Sequence, residues 1–253
     1  MLWNASALNG YPIKATDGDI GTVAGLMYDQ ADWNIQWLVV DTGEWLPGRR
    51  ALLPVTALGQ PDPESHHLPV ELTMQQVEDS PDVDTSGPLS QAMDVLVRRH
   101  YGRIPAASAV TGDGQDGGPP APFTLGQPQP YAATDPAEPG GGGDTDVHSI
   151  EGIRGDTIET TDGDIGHAED FLIDTALWQV RYLVVHTSSW WPGEKLLVSP
   201  LSIDWIDRAR SIIHLDVTRQ KVKDSPPYVA ADTVDGAYDE LFHTYYGLRL
   251  ARR

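Results

Sequence analysis

A chain of 253 residues, 40% of them hydrophobic, carries enough apolar material for one large or two small globular cores. Its formal net charge of −20 works at long range against nucleic-acid backbones and anionic lipid surfaces. With no cysteine, disulfides, thiolate nucleophiles and cysteine-ligated zinc or iron–sulfur centres are excluded.

The chain begins MLWNASALNGYPIK, with no basic segment and no continuous apolar run. No later window approaches the roughly 18–20 apolar residues of a membrane-spanning helix. The expectation is a soluble, cytoplasmic protein with no transmembrane segment and no nucleic-acid partner. Peripheral attachment to a membrane complex and self-association stay compatible with it.

In chain order, the first strands are predicted at Tyr11 to Ala15 and Gly21 to Tyr28, flanking the turn Asp17-Gly18-Asp19. There glycine accepts positive φ and aspartate bonds the local backbone. Short aliphatic runs at Gln36 to Asp41, Arg50 to Pro54 and His67 to Leu72 continue a meander, each bounded by Gly, Pro or Asp. Thr73 is placed to cap a short helix through Val77, which Asp79-Ser80-Pro81 stops. A longer helix follows, on which Ala92, Met93, Leu96, Val97 and His100 form a stripe at helical spacing. Residues 104–147 then hold eight Pro, nine Gly, six acidic residues and no Lys or Arg. Such a segment buries too little apolar surface to offset its ordering entropy and reads as a disordered linker.

Beyond the linker the pattern repeats. Thr16-Asp17-Gly18-Asp19-Ile20-Gly21 recurs as Thr161-Asp162-Gly163-Asp164-Ile165-Gly166, an offset of 145 residues. The same offset carries Trp33 to Trp178, Leu38-Val39-Val40 to Leu183-Val184-Val185, and Trp45 to Trp190. It also carries Asp79-Ser80-Pro81 to Asp224-Ser225-Pro226 and Tyr101-Gly102 to Tyr246-Gly247. The second short helix falls at Thr218 to Val222, and the second long one carries Val234, Tyr238, Leu241, Phe242 and Tyr245. The organisation expected is therefore a first unit at 1–103, a linker at 104–147 and a second unit at 148–253. Each unit would bury its alternating side chains inside its own closed sheet.

The TDGDIG turn, the strand Trp178-Gln179-Val180-Arg181-Tyr182-Leu183-Val184-Val185, the turn Trp190-Trp191-Pro192-Gly193 and the closing DSP and YYG segments resemble the PRC-barrel family. The match is closest in the second copy. The first has Trp45-Leu46-Pro47-Gly48 and Gln36-Trp37 where the second has Trp190-Trp191-Pro192-Gly193 and Arg181-Tyr182. The resemblance implies a mainly β fold with α elements: two tandem small barrels, each followed by a short and a longer helix. It also implies non-enzymatic docking, as in the cytoplasmic domain of the photosynthetic reaction-centre H subunit and the C-terminal domain of a ribosome-maturation factor. It supplies no catalytic residues, and no cofactor is expected.

The residues themselves give few chemical candidates. Asp17 and Asp19, with Asp162 and Asp164, are the weak metal candidates, but neither turn has the third ligand, the following Gly and the Glu of a calcium loop. Gly112-Asp113-Gly114-Gln115-Asp116-Gly117 matches a dinucleotide fingerprint in letters only, because it lies in the linker. The histidines show no metal-ligand spacing, and no GxSxG nucleophile elbow is present. The aromatic and cationic loops are more suggestive: Trp45, Arg49 and Arg50 in one copy, and Trp190, Trp191 and Lys195 in the other. Trp beside Arg is a composition enriched at interaction hot spots. The expected function is an adaptor whose two tethered units dock a protein partner; the alternative is a small-ligand or metal sensor with a pocket at or between the barrels.

Overall fold

The computed structural model describes residues 1–85, 87–102, 145–187, 195–231, 234 and 236–247. Most of the predicted linker, its glycine motif, and Trp190 and Trp191 lie outside them. No helix among the described residues is long and apolar enough to cross a membrane.

The first copy opens with a short arm, β1 (Leu2–Asn4) and α1 (Ala5–Leu8). There follow β2 (Pro12–Lys14), β3 (Asp19–Asp29), β4 (Ile35–Asp41), β5 (Arg50–Pro54) and β6 (Leu68–Pro69), then α2 (Met74–Glu78) and α3 (Gln91–Gly102). The second copy repeats the order with one strand more. Its arm is β7 (Val147–Ser149) with the 3-10 turn Ile150–Ile153, and its strands are β8 (Thr157–Thr160), β9 (Gly163–Asp174), β10 (Gln179–Thr187), β11 (Lys195–Val198), β12 (Ile203–Asp207) and β13 (Ile212–Leu215). It closes with α4 (Arg219–Lys223) and α5 (Gly236–Tyr246).

The expected hairpin forms in both copies, and its last glycine has a steric reason. Gly21 and Gly166 sit at φ +128 and +147, where a Cβ would stand 2.1 Å from the Asp41 carbonyl oxygen and 2.0 Å from that of His186. Only glycine lets the neighbouring strand pass this close. The short helix is capped as the sequence predicts: Thr73 Oγ1 accepts from Gln76 N at 3.2 Å, and Gln76 Oε1 accepts from Thr73 N at 2.8 Å.

The expectation of two separate closed barrels requires correction. The strands form two open sheets, in the orders β5-β4-β3-β2-β6 and β11-β10-β9-β8-β13-β12. More consequentially, the arms cross between copies. β1 pairs antiparallel with β9, Leu2 opposite Asp174, and β7 pairs antiparallel with β3, Val147 opposite Asp29. The two registers coincide under the 145-residue offset. β3 and β9 can do this because each is long, giving half of one edge to its own hairpin partner and the other half to the arm of the other copy.

Where the copies meet, Asn34 bridges Gln179, Ile35 N donates to the Trp178 carbonyl at 2.7 Å, and Val180 N donates to the Trp33 carbonyl at 2.9 Å. This is a pseudo-two-fold junction, with Trp33 and Trp178 buried beside it at φ 60 and 49. A single cluster of buried side chains runs through it, including Leu8, Leu26 and Leu38 of the first copy and Ile153, Phe171 and Leu183 of the second. The core is continuous because each arm carries a fully buried aliphatic residue, Leu8 or Ile153, into it.

Candidate functional site

The acidic turns serve the fold. Asp17 Oδ1 accepts from Met74 N at 2.8 Å and Asp162 Oδ1 from Arg219 N at 2.7 Å, so each caps the first residue of the short helix packed against it. The bond from Arg219 N is the main reason that the Asp162 carboxyl titrates below the usual range. Asp19 and Asp164 are exposed. Among the described residues no group of three or more His, Asp or Glu is arranged to hold a metal ion.

The candidate docking cations are engaged internally. Arg49 donates to the backbone carbonyls of Glu78, at 2.6 Å, and Ser80, closing the C-terminal end of α2. Arg50 Nη1 donates to Thr85 Oγ1 at 2.8 Å, and Lys195 Nζ to Glu169 Oε1 at 2.7 Å. Trp45 is half-buried against the core. These side chains tie their own loops down, which leaves less of them for a partner.

The long helices pack on the outer faces of the sheets through equivalent aromatic–acid pairs. Trp37 Nε1 donates to Asp94 at 3.1 Å and Tyr182 Oη to Asp239 at 2.5 Å. The balancing cation has changed element. Arg98, one turn along α3, meets Asp94 at 2.7 Å, whereas Arg181 on β10 meets Asp239 at 2.9 Å. That exchange accounts for Gln36-Trp37 standing where the second copy has Arg181-Tyr182. The inner face of α5 is Phe242 and Tyr246; Leu96 and Leu241, part of the predicted stripe, are 47% and 58% exposed. The stripe lies one residue further round than the sequence spacing suggests.

At the junction, polar groups replace apolar ones. Asp170, nearly buried, accepts from Ser6 N at 3.1 Å, Ser6 Oγ at 2.5 Å and Arg154 Nη2 at 3.2 Å. Arg154 also meets Glu151 at 3.4 Å, and Glu151 accepts from Asn9 Nδ2 at 2.9 Å. On the other side Arg208 donates to Tyr28 Oη at 3.1 Å and Gln30 Oε1 at 2.6 Å. Tyr28 stacks on Trp33 with ring centroids 4.7 Å apart. Asp156, buried close by, has its pKa raised by desolvation against the opposing pull of the Ser211 hydroxyl and Arg208.

The surface feature that distinguishes the copies is the edge of the second sheet. β12 ends the strand order, and among the described residues nothing pairs with its outer edge. Trp205, 44% exposed, stands on it and stacks on His214 of β13, with centroids 4.8 Å apart and planes within 1°. Asp204 Oδ2 lies 3.8 Å from His214 Nδ1. In the first copy the equivalent stretch, Leu58-Gly59-Gln60-Pro61-Asp62, makes only the isolated bridges Leu58–Val70 and Asp62–His67. Proline removes the donors a regular edge would offer. A depression of about 320 Å³ lies elsewhere, lined by Val83, Leu89 and Met93 with Asp84 and Ser90, all of the first copy.

Trp205, His214, Asp170 and Ser6 escape a reading based on what the copies share, since each stands where the copies differ. The signal was a change of residue class at fixed offset: Gln60 to Trp205, Pro69 to His214, Gly25 to Asp170, Ser6 to Glu151. No protein-family model and no curated protein matches this sequence.

Proposed function

We propose that this chain is a non-enzymatic docking protein, built from two PRC-type units, whose partner adds an extended segment to the outer edge of β12. The carrying observation is the exposed Trp205–His214 stack on a strand with no neighbour on its outer edge among the described residues. An unpaired edge supplies main-chain hydrogen bonds and a projecting indole supplies a hot spot, the combination that strand-addition sites use. Asp204 and Asp207 on the same strand, in a chain of formal charge −20, favour a basic segment over an acidic one. The engaged state of Arg49, Arg50 and Lys195 supports this edge over the Trp45 loop.

The test is affinity capture from the native cell with wild type, Trp205→Ala and Ile206→Pro, the last removing an edge donor, alongside melting curves. Loss of the same bound protein in both variants at near-native melting temperature is the expected result. An unchanged set of bound proteins would sink the assignment. The depression beside α3 keeps a small-ligand sensor as the second reading. A melting-temperature screen with divalent ions and metabolites separates the two, because a ligand bound only by the folded state raises stability.

A further inference from the structure

The inter-copy junction is symmetric in backbone and asymmetric in charge. The arm of the first copy brings Ser6 to Asp170 on β9. The arm of the second brings Glu151 to the equivalent place on β3, which is Gly25; a Cβ there would lie 4.0 Å from Glu151 Cγ. Each arm therefore meets a receptor that suits it: a hydroxyl and an amide meet a carboxylate, and a carboxylate meets a bare backbone. Two second copies paired in the same way would set Glu151 against Asp170 twice, without the Ser6 donors and with Arg154, which stands in the place of Asn9, as the one cation on each side for both carboxylates. Two first copies would set Ser6 against Gly25 twice, with no ion pair at all.

From this we infer that the junction is a pairing code, in which Ser6, Gly25, Glu151, Arg154 and Asp170 make each unit select the unlike unit, and that the partner this surface fits is the opposite unit, in cis or from another molecule of the same chain. The strongest discrimination is against pairs of second units, where Glu151 takes the place of the Ser6 donors beside Asp170 and leaves two carboxylates to one Arg154 on each side. Like charges set against each other are the repulsive half of specificity, and an attractive contact alone does not supply it.

The inference does not depend on the β12 edge, and its test has a separate readout. A protease site is inserted between Gly117 and Gly118 of the full chain, the folded protein is cut, and the species present after dilution and mixing are counted by native mass spectrometry. The expected outcome is unlike pairs, with pairs of second units well below the statistical share. Ser6→Glu in the first unit recreates the Glu–Asp170 contact and should shift the population from pairs to free fragments. Ser6→Ala removes the donor without adding charge and should cost less. The Ser6→Glu deficit should shrink in high salt, where opposed charges are screened. Asp170→Ala, which removes the opposing carboxylate and adds no bulk, should restore pairing to the Ser6→Glu protein. In the uncut chain Ser6→Glu should lower the melting temperature by about 3–8 °C and the double variant should regain most of it. A statistical mixture of like and unlike pairs, Ser6→Glu no worse than Ser6→Ala, or a double variant no better than the single would each overturn the code.

Discussion

If the two copies share one core through their arms, damage to one arm must be felt by both. Leu8 is completely buried, lies on the first arm and belongs to the cluster that spans the junction. Truncation of such a leucine to alanine costs about 2–5 kcal/mol, the range reflecting how far the cavity collapses. At about 3 kcal/mol in a protein of this size, the melting temperature should fall by about 6–12 °C. Differential scanning calorimetry of wild type and Leu8→Ala should each show one transition, with calorimetric and van't Hoff enthalpies in agreement, displaced as a whole. Ile153→Ala, the same change on the other arm, should displace the same single transition. Two resolved transitions, of which Leu8→Ala moves only one, would refute the continuous core.

Three further outcomes follow from local geometry. Gly166→Ala drives a Cβ into the His186 carbonyl at positive φ, so the variant should lose about 3 kcal/mol or more in urea unfolding or fail to accumulate as folded protein. Asp156 is held above its ordinary pKa by desolvation, so its ionised form carries a penalty that is absent at low pH and appears as pH rises through the folded value. Asp156→Asn should therefore be more stable than wild type at pH 7, with the difference fading toward pH 4 in parallel unfolding curves. Burial pushes Tyr101 and Tyr246 up to about 12, and raises Tyr182 and Tyr238 as well. The stability they lend is intact below pH 10 and is lost as pH rises through their folded values, so ultraviolet titration should show late phenolate formation merging with alkaline unfolding.

Much of this architecture was legible because local chemistry dictates it. The DGD turn, the aliphatic run of β4 and the Thr73 cap each need only their immediate neighbours, and all three stand where sequence places them. The crossing arms did not announce themselves, because a three-residue strand such as Leu2–Asn4 carries no periodicity and its partner lies 172 positions away at Asp174. Strand pairing over such a separation is a tertiary choice, settled by the buried Leu8 and Ile153 and not by propensity. The roles of Arg49 and Arg50 were hidden for a related reason: composition marks a cation as free to bind, and only the fold shows the carbonyls and hydroxyl that already occupy it.

On the proposed docking reading, the proline-interrupted edge of the first sheet, set beside the regular edge of the second, also fixes a valence. A dimer of identical subunits would display any adhesive strip twice and could bridge its targets into open-ended chains. Joining two diverged halves in one polypeptide leaves one edge bearing Trp205 per particle, so on that reading a partner gripped there is bound at one-to-one stoichiometry and assembly stops there.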